Sequence, residues 1–302
     1  MSITGSHIRG RNEKIGDVIV IRLFFIVTFI FAAACLFPFI LMLISSFTDE
    51  ATLVREGYKL IPDKWSFGAF KAIFSSQSVP DSYLTTITYT IIGTVSSMTV
   101  TSLCAYAISG SKLKYRNIIA FIFYFTMLFS GGLVPTYILV SKVLGLRDTI
   151  WVYILPVLVN PWNMFMLRNF FNTLSESFRE SALLDGANEI IILFRIIIPL
   201  SAPPMATFSL FYAVAYWNEW MASMLYVDKE NLVSLQYLIM RMMRNISAAK
   251  MVAQQSGVPM PMLPSETLRY ATAMLSIGPI ILLYPFLQRY FVSGLRVGGI
   301  KG

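Results

Sequence analysis

Charge-poor apolar segments longer than about 18 residues recur between Ile19 and Phe291, and nothing else in this sequence restricts its fold as severely. Each has the length of a bilayer-crossing helix, since about 20 residues at 1.5 Å rise span a hydrocarbon core of ~30 Å. The composition agrees. Of 302 residues, 56% are apolar and 13% charged, where a soluble domain carries about 25% charge. These numbers exclude a water-soluble enzyme and make the membrane the solvent of the chain.

Six spans are expected, at about Val18–Phe47, Tyr83–Ser109, Ile118–Val140, Thr149–Leu167, Pro203–Val227 and Ala271–Phe291. Alternating ten-residue barrel strands are absent, so helices are the spanning form. The predicted fold class is therefore an all-α integral membrane protein, with a tail at 1–17, a six-helix transmembrane domain at 18–292 and a second tail at 293–302. An even number of spans puts both termini on one side. The short connection Gly110–Asn117 holds Lys112, Lys114 and Arg116 and no acid, which by the positive-inside rule marks that side as cytoplasmic.

The net charge of +8 comes from basic residues in short groups between apolar segments, with no stripe interleaved with stacking aromatics, so nucleic acid is not an expected partner. Cys35 and Cys104 lie inside apolar segments and make neither a disulfide framework nor a metal site. His7 is the single histidine, which argues against histidine-based zinc or acid–base chemistry. No metal site is expected. The first apolar run, Ile19–Phe47, is too long for a signal-peptide core and reads as a span.

The connection from about Arg168 to Ile198 is some thirty residues long, yet it lacks the Gly, Ser or Pro content of a slack linker. Ser177 and Glu180 have capping-box spacing, Gly186 permits a turn and Asp185 can cap a second helix beyond it, so two short helices with a bend are expected. Leu183, Leu184, Ala187 and Ile190 give that elbow an apolar face on the water side of the membrane, where another protein would have to cover it. On spacing alone, Glu180 and Gly186 fit equally well as a plain cap and a plain turn.

The run Glu180-Ser181-Ala182-Leu183-Leu184-Asp185-Gly186-Ala187, followed by Phe194, Ile197 and Pro199, resembles the EAA loop of binding-protein-dependent ABC importer permeases. Ser181 stands where that pattern prefers alanine and keeps the side chain small. Gly131-Gly132-Leu-Val-Pro135, Trp217-Asn218-Glu219-Trp220 and the ending Gln288–Gly302 are similar to carbohydrate-importer permeases of the maltose type. Pro264–Met274 and Tyr284–Gln288 are closer to the polysaccharide-lipoprotein subgroup. The resemblance implies a type I ABC importer permease fold in a bacterial inner membrane, with the loop at about 168–198 docking into a cytoplasmic ATPase through Glu180, Ser181, Ala182, Leu183, Asp185, Gly186, Ala187, Phe194 and Pro199. It further implies a second, homologous permease as heterodimer partner, an ATPase dimer that binds ATP and Mg, an extracytoplasmic solute-binding protein and an oligosaccharide substrate. The chain itself would hold no cofactor. Its basic tail after Phe291 would also reach the ATPase, or else act as a positive-inside anchor.

Transport needs a polar path through the apolar slab. Glu219 is the one carboxylate well inside a span, and an ionised group there costs several kcal/mol unless it is paired or lines a wet cavity. With Trp217, Asn218 and Trp220 it can face a sugar, aromatic faces against the ring and polar groups toward hydroxyls; an interfacial aromatic belt is the alternative. Asn160, Trp162 and Asn163 form a second polar group, either on the path or bonded to neighbouring helices. Gly131, Gly132 and Pro135, with Pro156, mark places where helices can kink and a hinge can sit. The Met-rich stretch Met240–Met262 reads as a loop, with or without a partner-contact role.

No G-x-x-x-x-G-K-[ST] phosphate loop occurs, so ATP would have to be bound elsewhere. The alternative class is an ion-coupled secondary carrier, which would be expected to show ionisable residues in several spans and repeat symmetry between halves; neither is present. A membrane-embedded enzyme is disfavoured because a lone carboxylate offers no acid–base pair.

Overall fold

The computed structural model describes residues 13–75, 77–110, 113–256 and 266–279. Outside them lie His7, Lys112, most of both tails, the segment 280–302 with Gln288–Gly302, and Met260, Met262, Pro264 and Ser265. The described residues are mostly helical, with no strand beyond an isolated antiparallel bridge between Thr48 and Trp65. They fall into two compact units: one built on the chain up to residue 72 with 260–274, the other on 73–259 with 275 onward.

In the first unit, α1 (Glu13–Ser46) is apolar on every side from Leu23 to Ile44; Phe25, Phe29 and Phe31 are exposed, a surface that suits hydrocarbon rather than water. After it, Phe47 stacks on Phe70 at 4.7 Å between ring centroids. The short helix α2 (Glu50–Glu56) comes next, then α3 begins (Gly68–Phe74). The Glu50 carboxylate accepts hydrogen bonds from the Glu266 and Thr267 N–H groups, at 3.0 and 2.9 Å, and so caps the helical stretch that starts at 266.

The second unit is organised on α4 (Ser78–Ser109). Its buried face carries Ser82, Thr86, Gly93, Ser97, Thr101 and Ala105, small residues at helical spacing that let neighbouring backbones come close. Into that face packs α12 (Ala202–Trp217), whose Tyr212 and Tyr216 hydroxyls pair with those of Thr101 and Ser97 at 2.7 and 2.8 Å. A methyl at Gly93 would lie 2.7 Å from the Tyr216 ring, so the glycine is a condition of the contact. Against α4 also packs α8 (Pro161–Phe171), with Met164 and Leu167 fully buried.

Two of the expected spans are unbroken helices, Val20–Ser46 and Ser78–Ser109; counting bent pairs as single spans raises the number long and apolar enough to cross a membrane to four among the described residues. The third expected span is broken: α5 (Arg116–Leu128) and α6 (Leu133–Ile138), which runs on into a π turn at Leu139–Val143, meet at 116°. The break runs from Phe129 through Gly131 and Gly132, and Gly132, the N-cap of α6, has φ 84°, a value that glycine adopts readily and a helix interior does not. Pro135 sits in the first turn of α6, where a missing N–H costs nothing. The fourth consists of α7 (Trp151–Ile154), a 3₁₀ turn at Leu155–Val157 holding Pro156, and α8. The fifth stops at Trp217 and resumes as α13 (Met221–Tyr226). Of the sixth, residues 271–279 are described and helical. The stretch from Met240 is not a loop: it belongs to α14 (Leu235–Ser256), which begins where the Leu235 N–H donates to the Thr86 hydroxyl of α4 at 2.9 Å.

Connections gather at the two ends of α4. Near its N-terminus, the Thr85 hydroxyl donates to the Asn231 carbonyl, and Asp148 accepts from the N–H groups of Asp228 and Lys229. Near its C-terminus lie the connection to α5 and the end of α8, whose Arg168 donates to the Ile108 carbonyl at 3.1 Å.

Candidate coupling elbow and polar pathway

The segment after α8 folds as an elbow. Ser175 is the cap of α9 (Glu176–Leu184), its hydroxyl accepting from the Ser177 N–H at 3.4 Å. The cap therefore sits two residues before the expected Ser177; both serines suit the position, and spacing to Glu180 misassigned it. At the other end of α9, the Ala187 N–H donates to the Ala182 carbonyl at 2.9 Å and the Gly186 N–H to that of Leu183 at 3.1 Å. This is the Schellman closure, and it needs the left-handed residue that Gly186 supplies at φ 79°. Asp185 ends α9 and caps nothing beyond it. The next helix, α10 (Glu189–Ile192), is capped by Asn188, whose Oδ1 accepts from the Ile191 N–H at 2.8 Å. A π turn over Leu193–Ile197 and a short α11 (Ile198–Leu200) lead to a 90° bend into α12.

Of the residues that the EAA resemblance singles out, Glu180, Ser181, Asp185, Gly186, Phe194 and Pro199 are exposed, Leu183 and Ala187 are half-buried, and Ala182 is buried. Leu184 at the tip is 90% exposed and Ile190 64%, so these two apolar side chains of the elbow point outward. A methyl at Gly186 would meet no atom within 4 Å, so the bend faces open space.

Three residues that sequence reasoning left out hold the elbow in place. Arg179 of α9 binds Glu189 of α10 through two hydrogen bonds, at 3.0 and 2.6 Å, and the Tyr106 hydroxyl of α4 donates to the same carboxylate at 2.6 Å. The guanidinium also lies over the Tyr106 ring, 5.8 Å from its centroid. Hydrogen bonding to Glu189 raises the Arg179 pKa above its ordinary value, so this charge persists at every physiological pH. An isolated surface pair is worth about 0–1 kcal/mol, and this one, two-pronged with the Arg179 side chain 15% and that of Glu189 43% exposed, belongs at the upper end of that range. The spacing of ten between Arg179 and Glu189 is no helical repeat, and Tyr106 is remote in sequence, so no local pattern marks the trio.

The polar residues of the spans adjoin α12 at two places. Asn160 caps α8, its Oδ1 accepting from the Asn163 N–H at 3.1 Å, while its own N–H donates to the Tyr212 hydroxyl at 3.0 Å. Asn163 is buried. At the C-terminus of α12, Trp217 is buried and its indole N–H donates to the Ser276 carbonyl at 2.9 Å, while Asn218 closes the helix. Half-buried Glu219 turns its Oε1 to the Ala222 N–H at 2.8 Å and so satisfies the first turn of α13; Trp220 is 37% exposed.

No model of a protein family matches the chain. The chain is 39% identical over 272 residues to the polygalacturonan/rhamnogalacturonan transport system permease protein YtcP of Bacillus subtilis (strain 168), covering 90% of this chain and 94% of that one. Protein LplC of the same organism is 36% identical over 272 residues, 89% of this chain and 90% of its own length. A solved bacterial ABC transporter involved in the import of the acidic polysaccharide alginate contains a chain that matches with a TM-score of 0.79 and 29% identity, over 95% of this chain and 100% of that one. Similarity of this extent covers the elbow, α4 and α12 together. It favours the ABC permease over the ion-coupled carrier, and it identifies this protein as a transport component of a membrane. The chain belongs to the carbohydrate-importer permease family of ABC transporters.

Proposed function

We propose that this chain is one of two non-identical permease subunits of an importer that carries oligosaccharide fragments of polysaccharides, acidic ones among them, into the bacterial cytoplasm. The relatives named for polygalacturonan/rhamnogalacturonan and for alginate support that cargo. Six spans would cross the inner membrane, in contact with lipid, with both termini in the cytoplasm and the elbow on the same side. ATP and Mg are held by an ATPase dimer that docks on the elbow, and an extracytoplasmic binding protein delivers the sugar. Closure of the ATPase dimer pushes on the elbow and rocks the helices between inward-open and outward-open states.

The observation that carries this reading is the elbow itself: a short two-helix bend, held by its own caps, with Leu184 and Ile190 turned outward into open space. An apolar tip on the water side is costly unless another protein covers it. The Trp217–Trp220 group and Asn160 with Asn163 are the proposed sugar path, and Gly131, Gly132 and Pro135 the proposed hinge. The test is uptake of oligogalacturonides by cells expressing the complete importer. Uptake is expected to require the ATPase and to survive collapse of the ion gradients; uptake that tracks a gradient and ignores the ATPase contradicts the reading.

A further inference from the structure

We propose that Arg179, Glu189 and Tyr106 are positioning residues that lock the two arms of the elbow to the end of α4 and make α4 the lever that carries elbow movement across the helical unit. The inference rests on the docking reading above and deepens it by naming the connection inside this chain.

Each carboxylate oxygen of Glu189 is engaged, Oε1 by Arg179 Nη2 and Oε2 by Arg179 Nε and the Tyr106 hydroxyl. Arg179 belongs to one arm and Glu189 to the other, so the pair sets the angle across Gly186, while Tyr106 ties that angle to α4. Gly110, one turn beyond Tyr106, leaves room for the guanidinium: a methyl there would stand 2.9 Å from Arg179 Nη1. Open grooves of about 190 and about 360 Å³ flank the trio, one along Arg116 and Glu176, the other along Leu103 and Ile190. Polar contact rather than close apolar packing therefore joins arm and helix at this point.

What the trio grips is stiff. The 32 residues of α4 run about 48 Å without a break, and proline occurs only in the first turn. The chain itself leaves the elbow toward α12 through the π turn and the 90° bend, a weaker path for a push, and on the other side through the short link 172–174 to α8, which packs on α4 as well. The far end of α4 is bound in turn, through Thr85 to the Asn231 carbonyl and through Thr86 to the Leu235 N–H. Displacement of the elbow thus reaches the loop between α13 and α14 through a single element.

The experiment uses the complete importer in proteoliposomes, with oligogalacturonides as cargo, and reads three quantities: ATPase subunits recovered with the permeases, ATP hydrolysed, and sugar taken up per ATP. Glu189→Gln is expected to keep ATPase recovery within about twofold while sugar per ATP falls about tenfold, the scale of losing a charge-assisted contact; Gly110→Ala, where the end of the Arg179 side chain can shift, should keep recovery likewise and fall less. Tyr106→Phe should fall less, and Arg179→Glu combined with Glu189→Arg should recover much of the loss seen in either single reversal. An unchanged ratio in Glu189→Gln overturns the clamp and leaves the docking reading standing. Parallel loss of ATPase recovery and uptake in all variants, without rescue by the double reversal, reveals a folding role and overturns it as well. Failure of the unaltered chain to hold an ATPase at all overturns both.

Discussion

Gly186 and Gly93 resist a side chain for different reasons, and substitutions separate them. At Gly186 the space is open and the backbone is left-handed, so a side chain costs about 1–2 kcal/mol through φ alone. Asparagine tolerates that region better than alanine. Gly186→Asn is expected to hold more ATPase in pull-down from detergent than Gly186→Ala, and equal recovery would contradict the strain argument. At Gly93 the backbone is helical and the space is filled by Tyr216. Gly93→Ala should cost about 1–3 kcal/mol by overpacking, visible as a lower thermal midpoint in detergent, with no preference for asparagine. Glu219 offers a third separation. Glutamine retains an Oε1 for the Ala222 N–H, whereas alanine does not. If Glu219 also lines the sugar path, Glu219→Gln and Glu219→Ala both slow uptake, but the alanine variant alone loses stability, by about 1 kcal/mol. Normal uptake in Glu219→Gln would reduce the residue to a cap.

Among the elements, caps decide whether helices as short as α9 and α10 form at all, since nothing so brief is stable alone. Ser175→Ala and Asn188→Ala should each cost about 1 kcal/mol of local stability, read as faster amide exchange confined to the elbow. On α14, Arg241 binds Glu230 through two hydrogen bonds and holds its carboxyl below the usual range. Stability from that pair is complete above the ordinary carboxylate pKa and is lost as pH falls through the lowered one, so exchange protection at the start of α14 should decline in acid. The unbroken spans α1 and α4 were legible because no charged residue occurs over 23–46 or 83–109, although Pro38 and the hydroxyl-bearing residues of α4 dilute the apolar runs. The third and fifth were legible as apolar and illegible as interrupted, because hydropathy reports how much of a segment avoids water and says nothing of where a helix stops inside it. Gly131-Gly132 signalled a possible kink, while no feature of Trp217–Trp220 announces that α12 stops there. The bend at Gly186 could be read from one glycine after one helix, whereas the Arg179–Glu189–Tyr106 trio exists only once α9, α10 and α4 have come together.

For the molecule as a whole, a small-residue face on α4 receives α8 and α12 at close range, connections collect at its two ends, and the elbow stands at one of them with its apolar tip uncovered. The central claim is that a separate ATPase grips that tip from the cytoplasm. It is tested most directly by Leu184→Cys in a chain whose native Cys35 and Cys104 are replaced by serine, in cells that express the complete importer, with a short photo-crosslinker placed on the thiol in one sample and the thiol left free in a second. The account predicts a cross-linked product with the ATPase subunit and no labelling of intact cells by a membrane-impermeant thiol reagent. Labelling from outside, or a cross-link that stays within this chain while the importer turns over ATP, would contradict it.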